Sequence, residues 1–139
     1  MAVKVGGIYV SALGTRAANE ACKELRAVNG RVDFADYVVD LCFMTHEQGG
    51  LGADYAAGVG IGPGMVGRKQ RRFIVILEVP PTLTDRTSCR AWISDALAQA
   101  AAIVRDYLPR KGKDYPADRL AAEVVELRER WVVHIESTA

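Results

Sequence analysis

The longest apolar run in the chain is the segment 71–81, RRFIVILEVPP, and it predicts a buried β-strand. Residues 73–77 are all apolar and mostly β-branched or aromatic, a composition that favours a strand covered on both faces. The run is too short to cross a bilayer. Pro80 and Pro81 end the strand because neither can donate to a strand ladder. We therefore place this strand at the centre of the predicted sheet.

Three more segments have strand-like patterns. Residues 3–10 are rich in β-branched side chains, although Gly6 and Gly7 permit a bulge or a close backbone contact there. Residues 36–45 alternate cleanly between two faces, one of which is strongly apolar. Residues 55–62 alternate between larger side chains and small residues, mostly glycine, so the third strand has one nearly bare face.

Helical periodicity predicts three helices. The first covers residues 15–28, with Thr15 as its N-cap and Gly30 beyond its end. The second is capped by Thr84 or Thr87 and keeps the i, i+3, i+4 apolar spacing for five turns, until Pro109 and Gly112 end it.

The third helix begins at Asp114 or Tyr115 and is predicted to continue to about His134. Residues 131–135 also alternate like a short strand, so a closing strand there is the alternative. Glu126 and Arg130 have the spacing of an ion pair across one helical turn.

The predicted order is β-α-β-β-β-α-α in a single domain, residues 1–139. We expect an α+β fold with a mostly antiparallel four-stranded sheet and helices packed on one face. Three successive strands without helical crossovers argue against a doubly wound parallel sheet. If residues 131–135 form a strand, a ferredoxin-like arrangement is the alternative.

Composition indicates an ordinary soluble, cytoplasmic protein. The chain has 139 residues, of which 50% are hydrophobic and 25% charged, and its formal net charge is +1. That balance argues against a dominant nucleic-acid or membrane-binding field. Cys22, Cys42 and Cys89 are widely spaced, which favours reduced thiols over a disulfide framework. No membrane segment or signal peptide is predicted.

Three residues are candidates for catalysis. His46 and Glu47 follow the second strand, where a histidine beside a carboxylate can act as an acid or base. Cys89 lies in the first turn of the second helix beside Arg86 and Arg90, and a helix N-terminus lowers a thiol pKa. The competing interpretations are an exposed turn for His46 and Glu47 and an inert core cysteine for Cys89.

The sequence predicts neither a metal site nor a cofactor. Its histidines and cysteines lack the short paired spacing of zinc ligands. The glycine-rich run 58–64 superficially resembles a phosphate loop, but it lacks the G-K-[ST] ending, and Pro63 removes an amide that an anion cradle needs. A structural turn is the better interpretation of that run.

Arg68, Lys69, Arg71 and Arg72 form the one dense basic run of the sequence. They are expected to contact an acidic surface of another protein, or simply to be solvated charges at a hairpin end. The run has no interleaved aromatic residues and the chain has no helix-turn-helix spacing, so a nucleic-acid partner is disfavoured.

We therefore expect a small non-enzymatic protein-binding module. Its size and composition are similar to those of immunity proteins and antitoxin-like inhibitors of bacterial toxin systems, an analogy without a supporting motif. The alternative is a small enzyme or ligand-binding protein with a pocket near His46, Tyr55 and the glycine-rich hairpin. A third alternative is a homodimer formed through an open sheet edge.

Overall fold

A computed structural model describes residues 6–13, 15–30, 37–44, 59–62, 71–111 and 116–138. Within these ranges, no helix combines the length and the apolar character needed to cross a membrane. The elements in chain order are strand β1 (Gly6–Leu13), helix α1 (Arg16–Asn29), strands β2 (Tyr37–Met44), β3 (Val59–Gly62) and β4 (Arg71–Glu78), and helices α2 (Arg86–Lys111) and α3 (Ala117–Ser137).

The sheet has the strand order β1-β2-β4-β3, and its three long strands are parallel to one another. Of the four described strands, the short β3 alone is antiparallel, and it pairs with the outer side of β4. The prediction of a mostly antiparallel sheet is therefore wrong.

The reason for the error is the path of the chain between β2 and β4. The prediction treats successive strands without a helix between them as hairpins. Instead, β3 pairs with β4 and not with β2, so β4 lies between them and runs in the same direction as β2. Residues 45–70 are long enough for the crossover that a parallel pair needs, which is usually but not always helical.

The main core lies between one face of the sheet and the three helices. Alternate strand residues such as Val39, Leu41 and Val75 join buried residues of all three helices in one hydrophobic cluster. On the opposite face, Val38 is fully buried and Ile76 is 7% exposed. Burial on both faces is typical of strands in parallel sheets.

Side-chain caps define where the first two helices begin. Thr15 Oγ1 accepts a hydrogen bond from Ala18 N at 3.3 Å, which confirms the predicted N-cap of α1. At the end of α1, Gly30 has a φ of 80°, a conformation that glycine adopts without strain. Helix α2 is capped by Asp85 rather than by Thr84 or Thr87, because Asp85 Oδ2 accepts from Ser88 N at 2.8 Å.

Residues 131–135 lie inside α3, so the ferredoxin-like alternative with a closing strand is wrong. Leu127 and Trp131 are both fully buried on the inner face of this helix and continue its apolar stripe into the disputed segment. Thr138 N donates to His134 O at 3.1 Å at the helix end. Burial of a large aromatic residue at helical spacing therefore outweighs the local strand propensity.

Candidate functional site

Most of the residues predicted to bind a partner lie outside the described residues, and so do two of the three catalytic candidates. These are His46, Glu47, Tyr55, Arg68 and Lys69. Their roles stay predictions. Of the basic run, the backbones of Arg71 and Arg72 are described, as the first two residues of β4.

The strand register places this basic start of β4 at one end of the sheet. Arg71 is opposite Tyr37 of β2, and Tyr37 is in turn opposite Gly6 of β1. Because these three strands are parallel, the row marks their shared amino-terminal end. Arg71 and Arg72 therefore lie at the same end of the sheet as the start of β1.

Strand β1 forms one outer edge of the sheet, since β2 is its neighbour in the strand order. Its sequence, GGIYVSAL, contains neither a charged residue nor a proline. Natural edge strands commonly carry such residues because they prevent pairing with another chain. One backbone group of β1 is covered by α1, since Asn29 Nδ2 donates to Ile8 O at 2.8 Å. Within the part of the chain that the structure describes, strand β1 is thus an edge with few of the usual protections.

Cys89 does not have the environment of an activated thiol. It is 2% exposed, and its Sγ is 3.7 Å from Leu83 O. Burial raises the pKa of Cys89, and the charge of Asp85 raises it further. Burial also raises the pKa of Cys22, to about 12. Both thiols therefore stay protonated at neutral pH, and the helix N-terminus does not produce a reactive Cys89.

A cleft in the main core lies beside both of these thiols. It leaves no room even for a water molecule. Small-molecule sites typically have roughly 300–1,000 Å³. The cleft is consequently a packing gap between α1, α2 and the sheet, lined by Ala18, Cys22, Phe43, Val79, Cys89, Trp92 and Ile93.

The most elaborate polar arrangement in the described part of the chain is centred on Glu24 of α1. Arg86 Nη2 of α2 donates to Glu24 Oε1 at 2.9 Å, and His134 Nε2 of α3 lies 3.2 Å from the same oxygen. Arg90 Nε of α2 is 3.5 Å from Glu24 Oε2, an ion-pair distance without hydrogen-bond geometry. We call Glu24, Arg86, Arg90 and His134 the Glu24 cluster. One carboxylate thus connects all three helices.

The charge of Glu24 is stabilised by this cluster. Burial alone would raise its pKa, but the hydrogen bonds from Arg86 and His134 and the charge of Arg90 together lower it. A lowered pKa means that the folded state binds a proton less readily than the unfolded chain. The cluster therefore stabilises the fold above the ordinary pKa of 4.5, and this stabilisation is lost as the pH falls through the lowered value.

Trp131 supports the inner side of the Glu24 cluster. Its indole stacks on the ring of His134 with a centroid distance of 5.4 Å, and the guanidinium carbon of Arg90 lies 6.0 Å from its centroid. Trp131 Nε1 also donates to Arg90 O at 3.1 Å. The Arg90 side chain donates from Nη2 to Thr138 Oγ1 at the end of α3. These contacts fix Arg90, whose side chain is 8% exposed, against Glu24.

A second polar contact lies on the face of the sheet opposite the helices. Ser11 Oγ of β1 donates to Asp40 Oδ1 of β2 at 3.0 Å, and Asp40 is 9% exposed. Cys42 lies one step further along this face, and burial and the charge of Asp40 raise its pKa to about 11. Hydrogen bonding makes the buried carboxylate tolerable, so this pair ties β1 to β2.

Sequence reasoning missed the Glu24 cluster. Glu24 is one of several polar residues of the first helix, and His134 is separated from it by more than a hundred residues in the sequence. The available signal was the spacing of Trp131 and His134, which places a histidine beside an aromatic residue on one face of a helix.

Among the described residues, no group of three or more histidine, cysteine or acidic side chains is arranged to hold a metal ion.

Comparison with known proteins gives no match: no family model, no curated protein and no solved structure is significantly similar to this chain. No residue role can therefore be transferred from another protein. The chemistry of each site has to be judged from its own geometry.

Proposed function

We propose that the chain is a non-enzymatic, cytoplasmic protein-binding module that binds an acidic surface of a partner protein. The observation that carries this proposal is the uncharged edge strand β1, which begins at the same end of the sheet as Arg71 and Arg72. An immunity or antitoxin-like inhibitor is the class we propose, from the similarity in size and composition described above.

Two kinds of contact are available at this end of the sheet. An extended segment of the partner can add to the edge of β1, where main-chain hydrogen bonds supply affinity. The guanidinium groups of Arg71 and Arg72 can bind carboxylates with two parallel hydrogen bonds, which adds orientation as well as charge attraction. Arg68 and Lys69 extend the same basic run in the sequence. Together these contacts favour a partner that presents an extended, acidic segment.

The alternative of an enzyme or ligand-binding protein depends on His46 and Tyr55. Both lie outside the described residues, and no contact in the described part of the chain favours a pocket beside them. The described residues therefore support the protein-binding proposal and not this alternative.

Reversing the charge at the start of β4 is expected to weaken partner binding strongly. The double variant Arg71→Glu, Arg72→Glu replaces attraction to an acidic surface by repulsion, which should weaken binding at least about tenfold, the equivalent of 1.4 kcal/mol. The measurement is affinity capture from a native extract of the source organism, followed by light scattering to determine stoichiometry. The wild-type chain should retain one partner at a fixed ratio.

The matched control is the double variant Arg16→Glu, Arg105→Glu, which changes the net charge by the same amount at exposed helical positions. It should retain the partner as the wild type does, and circular dichroism should show that both variants fold. Failure of the wild-type chain to recover any stoichiometric partner would contradict the proposal, as would equal retention by the Arg71 and Arg72 variant.

A further inference from the structure

Helix α3 exposes a face that combines acidic and apolar residues. Spacings of three and four residues place its members on one side of the helix, and every one of them is exposed. We call this set the α3 outer face: Asp118, Ala122, Val125, Glu126, Glu129, Val133 and Glu136.

The apolar part of this face is exposed to solvent. Val125 is 44% exposed and Val133 is 62% exposed, whereas the inner side of the same helix is almost completely buried. The two valines are eight residues apart, which separates them by about 12 Å along the helix axis. They therefore provide two separate anchor points on one surface.

The carboxylates of the α3 outer face have no ion pair with any residue in the described ranges. Two arginines of the same helix are directed elsewhere. Arg128 Nε donates to Ser94 O of α2 at 2.8 Å, and Arg130 Nη1 donates to Val28 O of α1 at 3.3 Å. Glu126 and Arg130 consequently do not form the predicted ion pair. Arg119 and Arg130, both exposed, lie at the margin of the face, against four carboxylates on it. The surface is thus locally negative although the net charge of the chain is +1.

Helix stability does not account for this arrangement. Asp118 in the first turn interacts favourably with the positive end of the helix dipole. Glu136 lies in the last turn, where the negative end of the dipole makes an acidic residue unfavourable. Exposed valines also have a lower helix propensity than alanine or leucine. Glu136 and the two exposed valines therefore do not contribute to the stability of the helix.

We propose that the α3 outer face docks on a basic, partly apolar surface of a partner protein. The valines enter shallow apolar pockets, and the four carboxylates meet lysine or arginine side chains around them. Membranes and nucleic acids are disfavoured because their phosphates would repel the carboxylates. A symmetric contact with a second copy would bring like charges together. This surface is distinct from the amino-terminal end of the sheet, and it rests on the proposed function only in assuming a protein partner.

A synthetic amphipathic peptide of leucine and lysine, about five helical turns long, is a suitable probe. Its binding is followed by nuclear magnetic resonance of the ¹⁵N-labelled chain. We expect shifts to concentrate at the amides of the α3 outer face, and we expect no such shifts with a matched leucine and glutamate peptide. Shifts concentrated elsewhere, or equal shifts with the acidic peptide, would overturn the proposal.

Two double variants separate the charged and apolar contributions. One variant combines Glu126→Gln with Glu129→Gln, and the other combines Val125→Ser with Val133→Ser. Each should raise the dissociation constant of the leucine and lysine peptide about tenfold. Glu20→Gln is the matched control, because Glu20 is an exposed glutamate of α1, and it should bind as the wild type does. Equal weakening by the control variant would contradict the proposal. All positions are exposed, and thermal melts should confirm that each variant folds.

The peptide titration is independent of the capture experiment on Arg71 and Arg72. If capture fails while the titration succeeds, the proposed function is contradicted and the α3 outer face is supported. If capture succeeds and the α3 variants bind the peptide as tightly as the wild type does, the proposed function is supported and the docking role of the α3 outer face is contradicted. The wild type could instead dimerise as its concentration rises, and the double variant Glu126→Gln, Glu129→Gln could abolish that dimer. Such a result would overturn the proposal of a basic partner protein and show that a second copy of the chain binds this face.

Discussion

Replacing Trp131 with alanine is expected to lower the free energy of unfolding by about 3–5 kcal/mol, the usual cost of truncating a buried aromatic residue. Trp131 is the largest of the fully buried side chains in the described residues and is 0% exposed. The substitution also removes the donor to Arg90 O and the ring that stacks on His134. The measurement is urea denaturation followed by far-ultraviolet circular dichroism.

Two other variants show whether this effect is specific to packing. Trp131→Phe keeps much of the buried volume but loses the indole donor, so it should cost about 1–2 kcal/mol. Val133→Ala lies two residues away at a position that is 62% exposed, and it should change stability by less than about 0.5 kcal/mol. A loss below about 1 kcal/mol for Trp131→Ala would show that α3 is not packed as described.

The second large effect is expected at Glu24. Glu24→Ala removes the carboxylate and leaves the buried guanidinium of Arg90 without this counter-charge. Breaking a buried ion pair typically costs about 3–5 kcal/mol, and we expect about 3 kcal/mol because the Glu24 side chain is 23% exposed. The control is Glu20→Ala on the same helix, whose side chain is 67% exposed and whose loss should cost less than about 0.5 kcal/mol.

The pH dependence of stability gives an independent test of the Glu24 cluster. As the pH falls below about 4.5, the unfolded chain protonates Glu24 before the folded chain does, so the wild type loses stability. Glu24→Gln cannot take up that proton and should have a shallower acid limb. Subtracting the free energy of unfolding of Glu24→Gln from that of the wild type at each pH cancels the contributions of other acidic residues. One of these is Asp85, whose pKa is lowered by the hydrogen bond from Ser88 N. Parallel acid limbs would contradict the lowered pKa of Glu24.

The sequence pattern located the helices well because helical periodicity is a local property. The apolar positions of α1, including Ala18, Cys22 and Leu25, are buried, and Thr15 caps the helix as predicted. The end of α3 was harder to predict, because β-branched residues around Trp131 suit a strand locally. Packing of the indole between helices decided that segment in favour of a helix.

Strand direction was not accessible from the same pattern. The alternation in β2 and the apolar run in β4 indicate strands. Neither pattern indicates which other strand each one pairs with, or in which direction. The parallel pairing of β2 and β4 depends on β3 occupying the far side of β4. That arrangement is a property of the whole sheet, and periodicity in one segment cannot reveal it.

The Glu24 cluster could not be predicted for a related reason. Glu24 and His134 lie at opposite ends of the chain, and only the packing of α1, α2 and α3 brings them within 3.2 Å. At Cys89, the sequence indicated the helix N-terminus but not the burial that raises the thiol pKa. The roles proposed for His46, Glu47, Tyr55, Arg68 and Lys69 stay predictions.

The most direct measurement of the proposed function is hydrogen exchange of the chain with and without its captured partner. If a partner strand adds to the sheet, new main-chain hydrogen bonds should slow amide exchange in β1, residues Gly6–Leu13, by about tenfold or more. A stoichiometric complex in which β1 exchanges at the same rate as in the free chain would contradict binding through this edge.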